Sequence, residues 1–468
     1  MAKFIYYDVA LLLLFIIIVG IFLYTHRKKL KIESKVFLLY RTKIGLKFIN
    51  MVSRNFSKPL NILSYVSIAF GFAAMIAAFV FLYYSVILMI SMVSMPKVPP
   101  IMPLLPYVPQ IFNLPLPPFY FSYWLIIIVI IAVSHEFAHG IFARLYNIRV
   151  KSTGFGFLGP LLAAFVEPDE KAMEKKKAHQ QLAILSAGTF ANFISAIIFI
   201  LILQLLFVGL YQKDGVTNYL YAYEQINSSI IKTIGNYTTE QFLNLDNKQI
   251  MNMTDLEIKT NNNTYYYKQE LLPQIERLKK NAGTSIMITA YQYAPAIRAN
   301  LSGAIREINN VKIEKVEDIS KALSVLKPDD TVIIRTNEGN YTIKLIQNPK
   351  NESLGYLGIG FPEIKGFRLF ITKISSPFFS PFNYASPKIN ADIIEFIINL
   401  FFWLIIISLS VALLNMLPLS VLDGGKFLYI TALKLTKSKK KAEIIFKIAS
   451  ILVFAVFVLL TLVWLIKL

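Results

Sequence analysis

The chain has 468 residues, 55% of them hydrophobic, a net charge of +20 and no cysteine. Several apolar runs reach the roughly 20 residues that a bilayer-crossing helix needs, which excludes a soluble globular protein and describes a polytopic α-helical membrane protein with about six spans. Disulfides and cysteine-ligated metals are excluded as well. The basic residues cluster beside the apolar runs, where they meet anionic lipid headgroups and fix orientation, so the charge does not point to nucleic acid.

The first run, about 9–24, is followed by Arg27-Lys28-Lys29 and shows no small-residue cleavage site, so it reads as a span and not as a secretory leader. Basic residues continue through Lys31, Lys35, Arg41, Lys43, Lys47, Arg54 and Lys58. By the positive-inside rule this loop is cytoplasmic and the N-terminus lies outside. Apolar residues mixed into it, among them Phe37, Leu38, Ile44, Phe48 and Ile49, fit an amphipathic helix on the inner leaflet as well as a plain basic loop. Residues 1–59 form a first region. A second, 60–120, holds a span at about 60–92 and a stretch with prolines at 96, 99, 100, 103, 106, 109, 115, 117 and 118. Proline removes backbone donors, so this stretch is expected to be neither regular helix nor central strand. It either covers the mouth of a site or is a stiff linker.

The third apolar run, about 121–145, carries His135-Glu136-Phe137-Ala138-His139. Histidines four residues apart share one helix face, and both imidazoles can reach one zinc ion. Glu136 then stands beside the metal, where a carboxylate can take a proton from water. HExxH is short enough to arise by accident, but ionisable groups inside a membrane-length run are costly and seldom idle. His26 and His179 stand in basic, polar surroundings and read as ordinary surface residues. With Arg144, Arg149 and Lys151 ending the span, the motif histidines fall about 7–14 Å below the cytoplasmic face. Residues 152–166 are apolar, broken by Gly154, Gly156, Gly159 and Pro160, and too short to span. A re-entrant, β-like segment is expected there. The next span, about 182–211, contains Gly188-Thr189-Phe190-Ala191-Asn192. Residues 121–211 thus form the first part of a membrane core. Gly154, Gly156 and Asn192 are candidates for holding a substrate backbone or an oxyanion. Asn192 could equally orient a metal ligand or make an interhelical hydrogen bond.

Residues 212–390 are a polar region outside the membrane. Sequons begin at Asn227, Asn236, Asn252, Asn262, Asn300, Asn340 and Asn351, against one elsewhere at Asn55. The region reads either as an internal repeat with a divergent first copy or as two unrelated β-rich pieces: residues 229–236 parallel 303–310, and 258–261 parallel 334–337, at offsets of 74 and 76 residues. The copies occupy about 221–285 and 290–361. The second core part, 391–468, has a span at about 393–417, then Asn415-x-x-Pro418 and Leu422-Asp423-Gly424-Gly425, and a last span at about 444–464 that exits outward. Pro418 ends the helix, and the two glycines are expected to let the backbone turn tightly. The loop charges put Asp423 at a depth similar to the two histidines. Two histidines and a carboxylate make a familiar catalytic zinc set, although a helix cap at the interface also explains an isolated aspartate. Asn415 joins Asn192 as an oxyanion candidate.

These motifs together resemble the site-2 protease family of intramembrane zinc metalloproteases, in a prokaryotic, PDZ-containing form. The resemblance covers roughly 96–211 and 393–430 with a PDZ-like α+β region between. It implies one zinc ion per chain held by His135, His139 and Asp423, Glu136 as general base, and transmembrane proteins as substrates. Thr189 stands where relatives often have proline, which leaves the local bend of that helix open. A scaffold with a structural zinc site is the reading from another class, although a structural site needs no base. A different membrane zinc protease with a glutamate as third ligand is the enzymatic alternative. The expected location is the cell membrane, with both termini and residues 212–390 outside and the site towards the cytoplasm. Oligomeric state, physiological substrate and activating signal are not written in the chain.

Overall fold

The computed structural model describes residues 4–33, 37–91, 105–112, 114, 116–158, 161–246, 249–250, 253, 256–268, 272–281, 284–362 and 382–467. Among them six helices are long and apolar enough to cross a membrane. In an apolar medium the backbone must pair with itself, and a helix does so within one segment. The chain divides into one compact unit made of residues 1–203 and 391–468 and a second made of residues 204–390.

In the first unit, α1 (Phe4–Thr25) begins before the apolar run proper and takes in Asp8. The basic segment after it is neither a loop nor only a helix. It forms a β-hairpin, β1 (Leu30–Glu33) and β2 (Phe37–Thr42), and then α2 (Leu46–Asn55). α2 turns Ile49, fully buried, towards Gly140 and Val166. α3 (Ser57–Ser91) follows. Five of the nine prolines of the proline-rich stretch lie outside the described residues. Its remainder contains one helical turn, α4 (Val108–Ile111), with Pro109 in the first turn, where a missing N–H breaks no bond. The expectation of no helix fails there for that reason. α5 (Phe121–Leu145) bears the HExxH motif. β3 (Val150–Leu158) and β4 (Leu161–Pro168) form a hairpin, and β2 pairs β3 from Leu38↔Phe157 to Thr42↔Thr153. The result is a four-stranded antiparallel sheet in the order β1-β2-β3-β4. α6 (Glu170–Glu174) leads to α7 (Ala178–Leu210), which runs unbroken through Thr189.

Among the described residues the second unit has two six-stranded sheets and two two-stranded ones. The first is built from β7 (Tyr223–Asn227), β8 (Ile231–Ile234), β9 (Tyr237–Thr238), β10 (Leu256–Thr260), β11 (Thr264–Tyr267) and β12 (Met287–Gln292), with α8 (Thr239–Leu243) and α9 (Leu272–Lys280). After α10 (Pro295–Arg298), the second is built from β13 (Ile305–Ile308), β15 (Thr331–Thr336) and β16 (Asn340–Lys344), with β14 (Val311–Lys312) and α11 (Val316–Ser324). It is completed by β5 (Tyr211–Val216) and β20 (Asn383–Pro387). β17 (Ile346–Asn348) and β18 (Asn351–Tyr356) form a hairpin, and β19 (Ile359–Gly360) pairs with β6 (Leu220–Tyr221). The copies share one order and one pairing: strand, tight turn, strand, helix, strand, strand. Gly235 and Asn309 both turn at positive φ, 59° and 48°. Ile231, Ile234 and Ile258 are buried in one core, Ile305, Ile308 and Ile334 in the other.

The chain closes in the first unit with α12 (Ala391–Leu414), α13 (Asp423–Thr436) and α14 (Lys439–Lys467). Its core has three parts that matter for the site. Phe119, Phe121, Trp124 and Ile127 pack with Trp403 and Ile407 between α5 and α12. Ile49, Phe142, Val166 and Ile184 join α2, α5, β4 and α7. Met75, Leu182, Leu185, Met416 and Phe427 join α3, α7 and α13.

Candidate metal centre

His135 and His139 lie on the face of α5 that looks towards α7 and the start of α13. Their Nε2 atoms are 3.1 Å apart. Asp423 Oδ2 is 3.3 Å from His135 Nε2 and 3.2 Å from His139 Nε2. The three atoms form a nearly equilateral triangle. Tetrahedral zinc with bonds of about 2.0–2.2 Å requires ligand atoms about 3.3–3.6 Å apart, so the donor set fits that ion in both chemistry and spacing. Among the described residues it is the one group of three histidine, cysteine or acidic side chains close enough to share a metal. No glutamate stands in the third place.

Each imidazole is oriented from behind. His139 Nδ1–H donates to the Ile184 carbonyl at 2.7 Å, which leaves the Nε2 lone pair facing the triangle. The Asn192 amide lies 3.0 Å from His135 Nδ1. For Nε2 to offer its lone pair, that Nδ1 must carry the hydrogen and the amide oxygen must receive it. Asn192 is 0% exposed and lines no part of the cavity. It therefore stands behind His135 and not among the substrate contacts expected of it. Asn415 does line the cavity, with its amide 3.3 Å from His135 Nε2. Gly154 and Gly156 pair with Arg41 and Leu39 on one side and with Phe165 and Ala163 on the other. They sit in an interior strand whose backbone is already engaged, so the expectation that they hold substrate gives way to β4, the edge strand.

Two features had no signal in the sequence. The Val166 N–H donates to Glu136 Oε2 at 2.9 Å, so the edge strand holds the expected base. Period-two alternation then turns the N–H and C=O of Ala164 and Leu162 to the same open edge. The other is the purpose of the glycines. A Cβ at Gly188 would fall on His139 Nε2 and within 2.6 Å of His135 Nε2. Gly424 and Gly425 are helical and make no tight turn. They let the first turn of α13 lie against the backbone of Met416, Leu417 and Leu419, and the Gly424 N–H donates to the Asn415 carbonyl at 2.8 Å. That contact sets the place of Asp423 beside the end of α12.

The cavity over the triangle has a volume of about 610 Å³. Ile127, Ile128 and Ile131 of α5 and Ile407 and Val411 of α12 wall one end, and Glu170 and Lys426 stand at the other, 2.9 Å apart. The sheet is tied across its strands by Glu167, which accepts from the Ser152 hydroxyl at 2.6 Å and from Arg41 Nε at 2.9 Å. The serine hydroxyl, against the opposing effect of burial, and then the guanidinium hold that carboxyl below its ordinary pKa.

Comparison with known proteins agrees with this chemistry. The model of peptidase family M50 matches residues 123–460. A protein of Fusobacterium nucleatum that carries the provisional name zinc metalloprotease FN1322 is 20% identical over 305 residues, 63% of this chain and 78% of that protein. The uncharacterized protein MJ0971 of Methanocaldococcus jannaschii is 51% identical over 72 residues, 15% of this chain and 19% of its own length.

Proposed function

The chain belongs to peptidase family M50, the site-2 protease family of membrane zinc metalloproteases, and on that premise we propose that it hydrolyses peptide bonds within or next to the transmembrane segments of other membrane proteins. The observation that carries the reading is the position of the His135–His139–Asp423 triangle and Glu136 in a cavity walled by aliphatic side chains of two span helices. An apolar transmembrane segment matches such walls, and a soluble polar peptide does not.

His135, His139 and Asp423 hold one zinc ion. When bound, zinc supplies the Lewis acidity that polarises a peptide carbonyl and lowers the pKa of water. Glu136 receives the proton of the attacking water on its carboxyl group and passes it to the departing amine. Its tie to the Val166 N–H keeps it at the edge of β4. Asn415 donates to the carbonyl oxygen as that atom gains charge. A helix hides its own carbonyls, so the substrate must first be drawn out. Ala164 and Leu162 offer the N–H and C=O groups on which an extended segment adds as a further strand. The segment 152–166 acts as the re-entrant element at this depth, facing the cytoplasmic side. Both termini and residues 212–390 lie outside the cell. The two repeat halves of that region are PDZ-like, and they take trimmed ectodomain ends or exclude large ones.

The test uses purified full-length protein with a transmembrane substrate. Wild type and Glu136→Gln should carry equal zinc, and only wild type should cleave, with the variant slower by at least about 100-fold. A folded wild type that takes up no zinc would end the proposal.

A further inference from the structure

Asp8 is 2% exposed, lies in a span helix, and takes no part in the chemistry above. Its Oδ2 accepts from the Phe121 N–H at 2.7 Å and from the Tyr107 hydroxyl at 2.7 Å. Its Oδ1 accepts from the Ser122 N–H at 2.9 Å. Phe121 and Ser122 open α5, and their N–H groups are among the four that a helix cannot pair within itself. Tyr120, the residue before them, supplies no side-chain cap. The cap comes instead from 113 residues upstream. Phe4, Ile5, Leu12 and Phe15 of α1 pack around Phe119, Phe121 and Trp124 and seal these bonds from outside. Beyond that patch α1 is mostly exposed, at Leu13, Leu14, Ile17, Ile18 and Ile21 for example. Asp8, Tyr107, Phe121 and Ser122 all lie before residue 123, where the family match begins.

We propose that Asp8 is a positioning residue for the metallopeptidase site: it fixes the HExxH helix along its axis, and with it the height at which His135 and His139 meet Asp423. The inference rests on the catalytic reading of that site. From Phe121 to His135 is 14 residues, about 21 Å of one unbroken helix. A helix is stiff along its axis, so a slip at the capped end arrives at the histidines undiminished. Asp423 belongs to a different helix and does not slip with them. The apolar contact of Ile49 with Gly140 lower on α5 is non-directional. Glu136 and His139 are held by directional bonds with Val166 and Ile184 near the site, and the two bonds from the Phe121 and Ser122 N–H groups to Asp8 are the directional ties at the other end of the helix. A misplacement of about 1 Å is enough to cost roughly 100-fold in rate.

The experiment compares full-length wild type, Asp8→Ala, Asp8→Asn and Tyr107→Phe in lipid vesicles. It reads the zinc dissociation constant, kcat and KM on a transmembrane substrate at saturating zinc, and amide hydrogen exchange at 121–125. Asp8→Ala should weaken zinc binding and lower kcat by about tenfold or more, with KM within about twofold and faster exchange at Phe121 and Ser122. Asp8→Asn keeps Oδ1 as an acceptor and should recover part of both losses. Tyr107→Phe keeps both helix N–H bonds and should stay within about twofold of wild type. If Asp8→Ala does not fold, Asp8→Asn decides, since its loss must lie between wild type and none of the activity. Wild-type zinc affinity and kcat in folded Asp8→Ala, or in Asp8→Asn where the alanine variant fails, would overturn the proposal. So would a defect confined to KM. A wild type that binds zinc and cleaves nothing would refute the catalytic reading instead, and the zinc constants would still decide whether Asp8 sets the triangle.

Discussion

A missing methyl group makes room for the two imidazoles. Gly188 lies in the middle of α7, where alanine would ordinarily gain about 1 kcal/mol of helix propensity. A Cβ there meets ring atoms of both His135 and His139, and those rings are pinned from behind by Ile184 and Asn192. The steric term decides, because the rings cannot retreat without losing those bonds. Gly188→Ala is therefore expected to lower bound zinc at least about tenfold while the protein still folds, as read by metal analysis of the purified variant. Full zinc and full activity in that variant would show that the imidazoles have room to move. At this scale His135, Glu136, His139 and Asp423 were legible because two of them repeat at helical spacing and ionisable groups are rare in spans. The role of Gly188 was not, and for Asn192 orienting a metal ligand stood beside two other roles, since a motif names residues without saying which atoms they face. Asp8 carried the same signal as Asp423, a carboxyl in an apolar run, but it stands just ahead of the run and reads there as a boundary residue.

Among the elements, the four-stranded sheet departs furthest from the chain's local pattern. β1 and β2 are short, and β2 finds its partner 111 residues later, at Thr42 and Thr153. Local periodicity has no access to such a pairing. Its consequence is that β3 is interior and β4 is the edge, which moves the candidate substrate strand from the glycines to Leu162, Ala164 and Val166. Proline is tolerated on an edge strand where its lost N–H faces outward. Ala164→Pro should thus leave zinc content intact and stability within about 1 kcal/mol, and lower cleavage by about tenfold or more. Ala163→Pro, whose N–H faces β3 opposite Gly156, should destabilise the sheet itself. Unimpaired cleavage by folded Ala164→Pro would sink strand addition. The thermal unfolding midpoint and a substrate-cleavage rate measure both arms.

For the whole molecule, the division into two units gives zinc a local effect on stability. All three tryptophans, Trp124, Trp403 and Trp464, belong to the unit of residues 1–203 and 391–468. Zinc at about 100 times its dissociation constant stabilises a fold that binds it by about 2.7 kcal/mol. A chelator should lower the unfolding midpoint followed by tryptophan fluorescence and leave the β-sheet transition of residues 204–390 in place. His135→Ala should abolish the shift. An equal fall in both transitions, or none in either, would count against a zinc site confined to the first unit. The sequence by itself determined the spans and pointed to the four residues of the candidate site, because span length and the i, i+4 spacing are local and leave a pattern in the chain. Only the tertiary structure decided which strand is the edge, what holds Glu136, which side of His135 Asn192 occupies and that Asp8 caps α5. Those depend on backbone groups and on partners 30 to 113 residues away, and neither leaves a mark in local composition or period.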